Sequence, residues 1–260
     1  MSGSFVVVYY GNTGSSWLVE TLSTSEDVLV PAFEPLELWA WDAPDAEKMA
    51  WIRGAFTPPE PRTPAAMQRW FEEMSSSPQF KGVKGREQFR IVGFKMTEGT
   101  LTDQAALLRL LDELGTRVIT LHRSNRLKHA LSLYRYHEEN KSQFDGKGLR
   151  PPSKLDLARF DGWVHESTRL HDRLVAFRLM VDDLLGTGRG LELSYEEFVT
   201  AEGKQATIER VGEFLGLDVG VMKQSRFEKA TPDDLAKAVV NYRALRRRYR
   251  STDLARWLDH

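Results

Sequence analysis

The 260-residue chain contains no cysteine. This absence excludes disulfide bonds, thiolate metal sites and a cysteine nucleophile. The chain also lacks any apolar run near the roughly 20 residues that a membrane-spanning helix needs. Its apolar N-terminal run, residues 5–10, is too short for a secretion signal and has no basic start. We therefore expect a cytoplasmic protein without a membrane span.

Charge of one sign is not in excess either. The chain has 36 basic and 37 acidic residues, and its formal net charge is −1. Such a balance creates no overall field that would attract nucleic acid or an anionic membrane surface. Nucleic acid is therefore not an expected partner, and any site for a multiply charged anion must be a local cluster. The sequence does not indicate an oligomeric state.

Apolar strand-like runs alternate with helical patterns along the chain. Residues 5–10 are β-branched or aromatic and precede Gly11, as in a strand that is covered on both faces. Further strands are predicted near residue 28 and at 90–95, 117–121 and 190–194, and helices at 102–114, 127–136, 155–185, 206–215 and 233–249. This alternation predicts an α/β fold with a central, mostly parallel sheet flanked by helices.

Two segments interrupt the alternation. Residues 40–89 contain a proline tract and a Ser-Ser-Ser-Pro tract, and we interpret them as an insertion or lid. Residues 140–153 are rich in Lys, Gly and Pro, which predicts an exposed loop. No internal repeat is visible. We therefore expect residues 1–260 to form a single domain.

The polar loop after the first strand is a candidate phosphate site. A loop between a buried strand and a helix presents free backbone N–H groups, and the helix dipole adds positive potential. Gly14 permits close approach of an anion, and Ser15 and Ser16 add hydroxyl donors. No lysine follows Gly14, so the loop does not fit the nucleoside triphosphatase pattern. An ordinary strand–helix turn with a serine cap is the alternative.

A second candidate phosphate site follows the strand at 117–121. Arg123 comes at the end of this strand, and Ser132 lies nine residues further on. An arginine offers a planar charged fork to a phosphate, and a serine adds a hydroxyl. The alternative is a basic amphipathic surface helix. A third segment, residues 191–198, places Tyr195 at the end of a strand.

Taken in order, these segments resemble sulfotransferases that use 3′-phosphoadenosine 5′-phosphosulfate (PAPS). Residues 9–17 are similar to the family's 5′-phosphosulfate loop, T-Y-P-K-S-G-T-T-W, and the nine-residue spacing is found in bacterial carbohydrate and nodulation-factor sulfotransferases. The resemblance implies a P-loop-like three-layer fold, no metal, and a carbohydrate or small alcohol as acceptor. The cofactor-binding residues that it implies are Gly11, Asn12, Thr13, Gly14, Ser15, Ser16, Trp17, Arg123, Ser132 and Tyr195.

The resemblance also assigns roles to single residues. It implies that Trp17 stacks on adenine, although a core position on the first helical turn is the alternative. Asn12 stands where the family has Lys or Arg, so a cation for the leaving phosphate is missing from the loop. Lys95, near the end of a predicted strand, is the candidate replacement. The alternative is that Lys95 is a solvated strand end.

Sulfuryl transfer also needs a base that accepts the proton of the acceptor hydroxyl. In the related bacterial enzymes this base is a glutamate after the second strand, and Glu34 occupies that place here. Glu37 is the substitute, and a solvated loop acid is the alternative. No histidine precedes His122, which disfavours a histidine base in this segment.

The acceptor and the reaction class leave further alternatives. Trp39, Trp41, Trp51 and Trp70 form an aromatic wall for an acceptor or simply pack in the core. A small-molecule kinase that needs ATP and Mg²⁺ is the competing enzyme. A non-catalytic nucleotide-binding protein is the third hypothesis, because Asn12 brings no charge.

Overall fold

Within the residues that the structure describes, five strands form one parallel sheet in the order β2-β3-β1-β4-β5. The computed structural model describes residues 3–31, 34–38, 42–74, 89–139, 151–220, 222, 225, 232 and 234–259. The strands are β1 Gly3–Tyr9, β2 Val28–Leu29, β3 Ile91–Thr97, β4 Arg117–His122 and β5 Gly190–Ser194. The expected central parallel sheet is thus confirmed.

Helices connect the strands and cover both faces of the sheet. They are α1 Ser15–Ser23, α2 Pro35–Leu38, α3 Asp45–Phe56, α4 Pro64–Met74, α5 Gln104–Glu113, α6 Arg126–His137, α7 Leu157–Leu185, α8 Ala201–Leu215, α9 Leu235–Ala238 and α10 Tyr242–Tyr249. Short 3₁₀ turns occupy Tyr195–Phe198 and Asp253–Trp257.

The central strand β1 is buried on both faces because its side chains alternate between two apolar clusters. Val6 and Val8 pack in a cluster with α3, α5 and α7, whereas Phe5 and Val7 pack in a cluster with α1 and α8. A strand that is covered on both faces needs such a continuous apolar run. The molecule therefore has three layers, with the sheet between two layers of helices.

Glycine permits one close contact inside the sheet. Gly93 of β3 pairs with Phe5 of β1, and an added Cβ at this position would collide with the Phe5 ring. The ring thus lies over the backbone of the neighbouring strand. A side chain at position 93 would have to displace it, which costs core packing.

Polar side chains fix the starts of the helices that border the site. The side chain of Asn125 accepts a hydrogen bond from the backbone N–H of Lys128 and so caps α6. Asp103 caps α5 and Asp156 caps α7 in the same way. Such caps are typically worth about 1 kcal/mol each because they satisfy donors that the helix leaves free.

Several sequence-based boundaries differ from the structure. The helix predicted at 206–215 begins at Ala201, because Thr200 caps it through the N–H of Gly203. The helix predicted at 233–249 is broken into α9 and α10, since Val239 adopts extended backbone and bridges to Ser153. The buried β-bridge between Val239 and Ser153 here outweighs the helix propensity of the segment.

The two interrupting segments also differ from their predictions where the structure describes them. In the insertion, Trp51 and Phe56 pack on Phe94 of β3, so α3 belongs to the core and does not form a lid over the site. In the second segment, residues 140–150 lie outside the described residues. Residues 151 and 152 are exposed as expected, whereas Ser153 is buried.

Among the helices of the described ranges, none combines the length and the apolar character needed to cross a bilayer.

Candidate functional site

The candidate residues gather at the carboxyl-terminal edge of the sheet. Because all five described strands are parallel, the segments that follow β1, β3, β4 and β5 leave from the same edge. The chain passes from β1 to β2 and β3 on one side of β1, and then to β4 and β5 on the other side. Ligands of open α/β sheets bind at such a reversal of strand order.

The loop after β1 is shaped by a glycine that nothing else can replace. Gly14 caps α1 with φ 83°, in the left-handed region that favours glycine. An added Cβ would lie 2.9 Å from ring atoms of both Tyr195 and Phe198. Thr13 is fully buried, and its hydroxyl donates to the Tyr10 carbonyl at 3.0 Å, so this side chain holds the turn.

Lys95 lies beside this loop and not at a solvated strand end. It is the fifth residue of β3, and only 3% of its side chain is exposed. Its ammonium donates to the Ser16 hydroxyl at 2.9 Å and lies 3.4 Å from the Ser15 hydroxyl. The solvated alternative for Lys95 is therefore wrong, because the ammonium is buried among polar groups at the start of α1.

Glu34 meets the same ammonium from the other side. Its Oε1 atom lies 2.5 Å from Nζ of Lys95 and also accepts a hydrogen bond from the Tyr9 hydroxyl. About a quarter of the Glu34 side chain is exposed, at 24%. The structure thus brings the candidate base and the candidate cation into one ion pair. The side chain of Glu37 lies outside the described residues.

Asn12 has an unusual backbone and an unsatisfied side chain. Its φ is 68°, which few residues other than glycine adopt. Its Oδ1 atom is buried and accepts no hydrogen bond from the described residues. A buried amide oxygen without a partner is costly. The strain and the free acceptor both mark the loop as a place where a ligand could supply a partner.

Arg123 is a buried cation at the end of β4. Only 5% of its side chain is exposed, and its guanidinium carbon lies 4.5 Å from the centre of the Tyr195 ring. Its nearest carboxylate oxygen, Oε1 of Glu196, lies 3.9 Å from Nε. Nε is buried without a hydrogen-bond partner in the part of the chain that the structure describes. Burying an arginine in this way is costly unless an anion completes its contacts.

Glu196 stabilises the corner that carries Arg123. Its carboxylate accepts the backbone N–H groups of Ser124 and Asn125 at 2.9 and 3.0 Å, and the Ser194 hydroxyl at 2.7 Å. Burial alone would raise the pKa of Glu196. The hydrogen bond from Ser194, the charge of Arg123 and the two N–H donors outweigh burial and lower this pKa.

Lys128, in the first turn of α6, was not singled out in the sequence. It is half-buried, and burial and then the nearby charge of Arg123 lower its pKa. Ser132 lies one helical turn further on and is also half-buried. None of the described residues accepts a hydrogen bond from either side chain. A lysine in a basic helix carries no sequence signal that separates this position from a solvated one.

Two hydrogen-bonded contacts connect the segments after β1 and β4. The Tyr10 hydroxyl accepts from the backbone N–H of Arg123 at 2.8 Å and donates to its carbonyl at 3.0 Å. His129 of α6 donates from Nε2 to the Gly11 carbonyl at 2.8 Å, so its Nδ1 accepts from the Ser167 hydroxyl at 2.7 Å. Burial, first, and the charge of Arg123 lower the pKa of His129 to about 3. Nothing in the sequence singled out this neutral histidine.

The aromatic candidates are packed in the core. Trp17 is 5% exposed and stacks on Phe198 with ring centres 4.9 Å apart, which fits the core alternative better than an open adenine platform. Trp51 and Trp70 are buried, and Trp70 donates to the Gly54 carbonyl. They do not form an acceptor wall. Trp39 and Trp41 lie outside the described residues.

The ionisable side chains of the described ranges include no group of three or more histidine, aspartate or glutamate residues that could hold a metal ion. The absence of a metal requirement remains a prediction.

No protein-family model matches the chain, and no curated protein matches it. Among solved structures, the chain is similar to a sulfotransferase from Alicyclobacillus acidocaldarius, with a TM-score of 0.49, 18% identity, and coverage of 99% of this chain and 94% of that one. It is also similar to the sulfotransferase domain of the Synechococcus PCC 7002 olefin synthase, with a TM-score of 0.46, 16% identity, and coverage of 96% and 88%. The sulfotransferase domain from the curacin biosynthetic pathway gives a TM-score of 0.46, 13% identity, and coverage of 92% and 83%.

Proposed function

We propose that this chain is a sulfotransferase that moves a sulfuryl group from PAPS to the hydroxyl of a carbohydrate or small alcohol. The observation that carries the proposal is the position of Lys95. Its ammonium contacts hydroxyls of the candidate phosphate loop on one side and Glu34 on the other. A cation for the leaving group and a base for the acceptor therefore stand at the same point of the sheet edge.

The chain offers partners for both ends of the donor nucleotide. Backbone N–H groups at the start of α1, with the hydroxyls of Ser15 and Ser16, would face the 5′-phosphosulfate. The buried Arg123 guanidinium and the half-buried Lys128 and Ser132 would face the 3′-phosphate. The unsatisfied Nε of Arg123 supports this assignment, because a phosphate oxygen would supply the acceptor that the described residues do not.

In the proposed reaction, bound PAPS supplies the sulfuryl group. The acceptor oxygen forms a bond to sulfur while the bond from sulfur to the 5′-phosphate oxygen breaks. Glu34 takes the proton of the acceptor hydroxyl, and Lys95 neutralises charge that develops on the leaving phosphate. The products are the sulfate ester and 3′-phosphoadenosine 5′-phosphate. Lys95 would thereby provide the charge that Asn12 lacks.

Two other functions predict different ligand behaviour. A small-molecule kinase would bind ATP and need Mg²⁺, whereas a non-catalytic protein would bind the nucleotide and leave PAPS intact. A thermal-shift series with ATP and Mg²⁺, PAPS, and 3′-phosphoadenosine 5′-phosphate distinguishes a sulfotransferase from a kinase. Mass spectrometry of PAPS with a set of sugar and alcohol acceptors distinguishes a sulfotransferase from a non-catalytic protein. Stabilisation by ATP and Mg²⁺ alone would contradict the proposal.

The role of Glu34 is tested by Glu34→Gln, which keeps the size of the side chain and removes its basicity. We expect turnover to fall by about 10²- to 10⁴-fold, the usual contribution of a general base. Glu37→Gln is the matched control, and its turnover should fall much less. Sulfate transfer from PAPS measures the effect, and calorimetry with 3′-phosphoadenosine 5′-phosphate checks that the nucleotide still binds. Normal turnover of Glu34→Gln would refute the assignment.

A further inference from the structure

Tyr9, the last residue of β1, contacts both members of the Glu34–Lys95 pair. Its hydroxyl donates to Oε1 of Glu34, and its ring centre lies 4.8 Å from Nζ of Lys95. The residue is 4% exposed and sits between β3 and β4 at the centre of the sheet. A tyrosine has few rotatable bonds, and this one is enclosed by packing. One rigid side chain therefore touches the candidate base and the candidate cation together.

The hydrogen bonds to Glu34 are unequally distributed between its two oxygens. Both Tyr9 and Lys95 contact Oε1. Oε2 accepts no hydrogen bond from the residues that the structure describes, and the carboxylate is partly exposed. An anchored oxygen and a free oxygen give the carboxylate a defined direction, with Oε2 left to receive a proton.

We infer that Tyr9 is a positioning residue for the proposed sulfuryl transfer. Its hydroxyl fixes Oε1 of Glu34 so that Oε2 faces the acceptor, and its ring holds the Lys95 ammonium beside the phosphate loop through a cation–π contact. This inference rests on the proposed function, because a positioning role has meaning only if Glu34 accepts a proton. Among the described residues, the ionisable groups in contact with Glu34 are Lys95 from β3 and Tyr9 from β1.

A purely structural role would be different. Tyr9 packs in the same apolar cluster as Phe5, Val7 and Trp17, and filling this space needs the ring but not the hydroxyl. Tyr9→Phe keeps the ring, the packing and the contact with Lys95, and it removes the hydrogen bond to Glu34. Tyr9→Leu removes the ring as well. The two variants therefore separate positioning of the base from positioning of the cation.

The test compares pH profiles of sulfate transfer for the wild-type chain, Tyr9→Phe and Tyr9→Leu. In Tyr9→Phe we expect kcat to fall by about tenfold, as for loss of a hydrogen bond to a charged group. Its acidic limb should move to higher pH, because the ionised carboxylate loses a donor that stabilises it. The KM for PAPS should stay within about twofold, since the ring remains under Lys95. Tyr9→Leu should raise this KM as well.

Tyr134→Phe is the matched control. Tyr134 is also buried, and its hydroxyl accepts from the backbone N–H of Asp156, away from the Glu34–Lys95 pair. This variant should leave the pH profile unchanged. A Tyr9→Phe enzyme with an unchanged acidic limb and normal kcat would overturn the positioning role, since the hydroxyl would then do nothing for the base.

A second readout does not depend on activity. Nuclear magnetic resonance with ¹³C-labelled glutamate follows titration of the Glu34 carboxyl in the full chain, and Glu34→Gln identifies its signal. We expect the midpoint pH of this titration to be higher in Tyr9→Phe than in the wild-type chain and to be unchanged in Tyr134→Phe. An unchanged midpoint would also overturn the inference. Absence of any sulfate transfer by the wild-type chain would instead refute the proposed function, while the titration would still decide whether Tyr9 holds the carboxylate.

Discussion

At the scale of single residues, Arg123 is the clearest example of a buried cation whose hydrogen-bond donors are not all satisfied by the described residues. It is buried beside Tyr195, its nearest carboxylate is too far for a good hydrogen bond, and its Nε has no partner among the described residues. A carboxylate from the chain could have neutralised it fully, as Asp161 does for Arg248. Instead, Glu196 uses its oxygens mainly on backbone N–H groups and Ser194. The guanidinium therefore retains donors for a ligand.

We expect Arg123→Ala to weaken binding of 3′-phosphoadenosine 5′-phosphate by about 1.5–3 kcal/mol, the usual range for hydrogen bonds to charged groups. The affinity of this variant for a nucleotide without the 3′-phosphate should hardly change, because we expect the partners of that nucleotide in the loop after β1. Calorimetry with both ligands measures the difference. If the two ligands lose affinity equally, Arg123 supports the fold of the site and does not bind the 3′-phosphate.

At the scale of elements, α6 connects the two halves of the site. Its first turn carries Lys128, and His129 faces the other way, into the interior, where it holds the Gly11 carbonyl. Since His129 also accepts from Ser167 of α7, one imidazole joins the loop after β1 to two helices. A neutral ring with its proton on Nε2 fits both contacts, and burial keeps the imidazole neutral by lowering its pKa.

The burial of His129 predicts acid sensitivity of the fold. Burial lowers its pKa from the ordinary value of about 6.5 to about 3, so the unfolded chain binds the additional proton between these two values. Stability should therefore be complete above pH 6.5 and decrease as the pH falls, by about 4 kcal/mol at most near pH 3. Urea unfolding between pH 7.5 and pH 4.5 measures the decrease, over roughly the upper part of this range.

Variants on the same helix show whether His129 is the cause. His129→Gln should be less stable at pH 7.5, but its stability should decrease less on acidification. His137→Gln is the control, because His137 is exposed near the end of α6. His171, whose pKa burial lowers to about 4, contributes in the same pH range and is present in every variant. Equal slopes for the wild-type chain and His129→Gln would contradict the assignment.

Periodicity and glycine placement were sufficient to predict the elements that form the site. The apolar run at 5–10 predicted a doubly covered strand, and the structure has it as β1. The break between α9 and α10 could not be predicted, because it depends on the pairing of Val239 with the distant Ser153. A local helical pattern contains no information about such a partner.

Several residues of the candidate site were named from the sequence, but the contacts between them could not be predicted. Glu34 and Lys95 are 61 positions apart, and only the order of strands brings them into an ion pair. Tyr9, Lys128 and His129 gave no signal, since a tyrosine in a strand and basic residues in a helix are common core and surface features. Trp17 was ambiguous in sequence, and its packing on Phe198 became visible only in three dimensions.

At the scale of the whole molecule, positive and negative groups nearly cancel, both in the chain and at the site. The chain has a formal net charge of −1. Among the residues that the structure describes, the ionised groups at the proposed donor site are Lys95, Arg123, Lys128, Glu34 and Glu196. Two carboxylates thus offset most of the charge of three cations. Beyond a Debye length, about 10 Å at 0.1 M salt, an approaching anion meets little potential.

This near-cancellation, to which the ion pair between Glu34 and Lys95 contributes, would make the protein a poor long-range attractor of the proposed nucleotide. We expect the association rate constant of 3′-phosphoadenosine 5′-phosphate to change by less than about threefold between roughly 0.05 and 0.5 M salt. Stopped-flow tryptophan fluorescence measures this rate, and a steep decrease with salt would contradict the expectation. Selectivity among cellular anions would then arise after collision, in how long each one stays, and not in how fast it arrives.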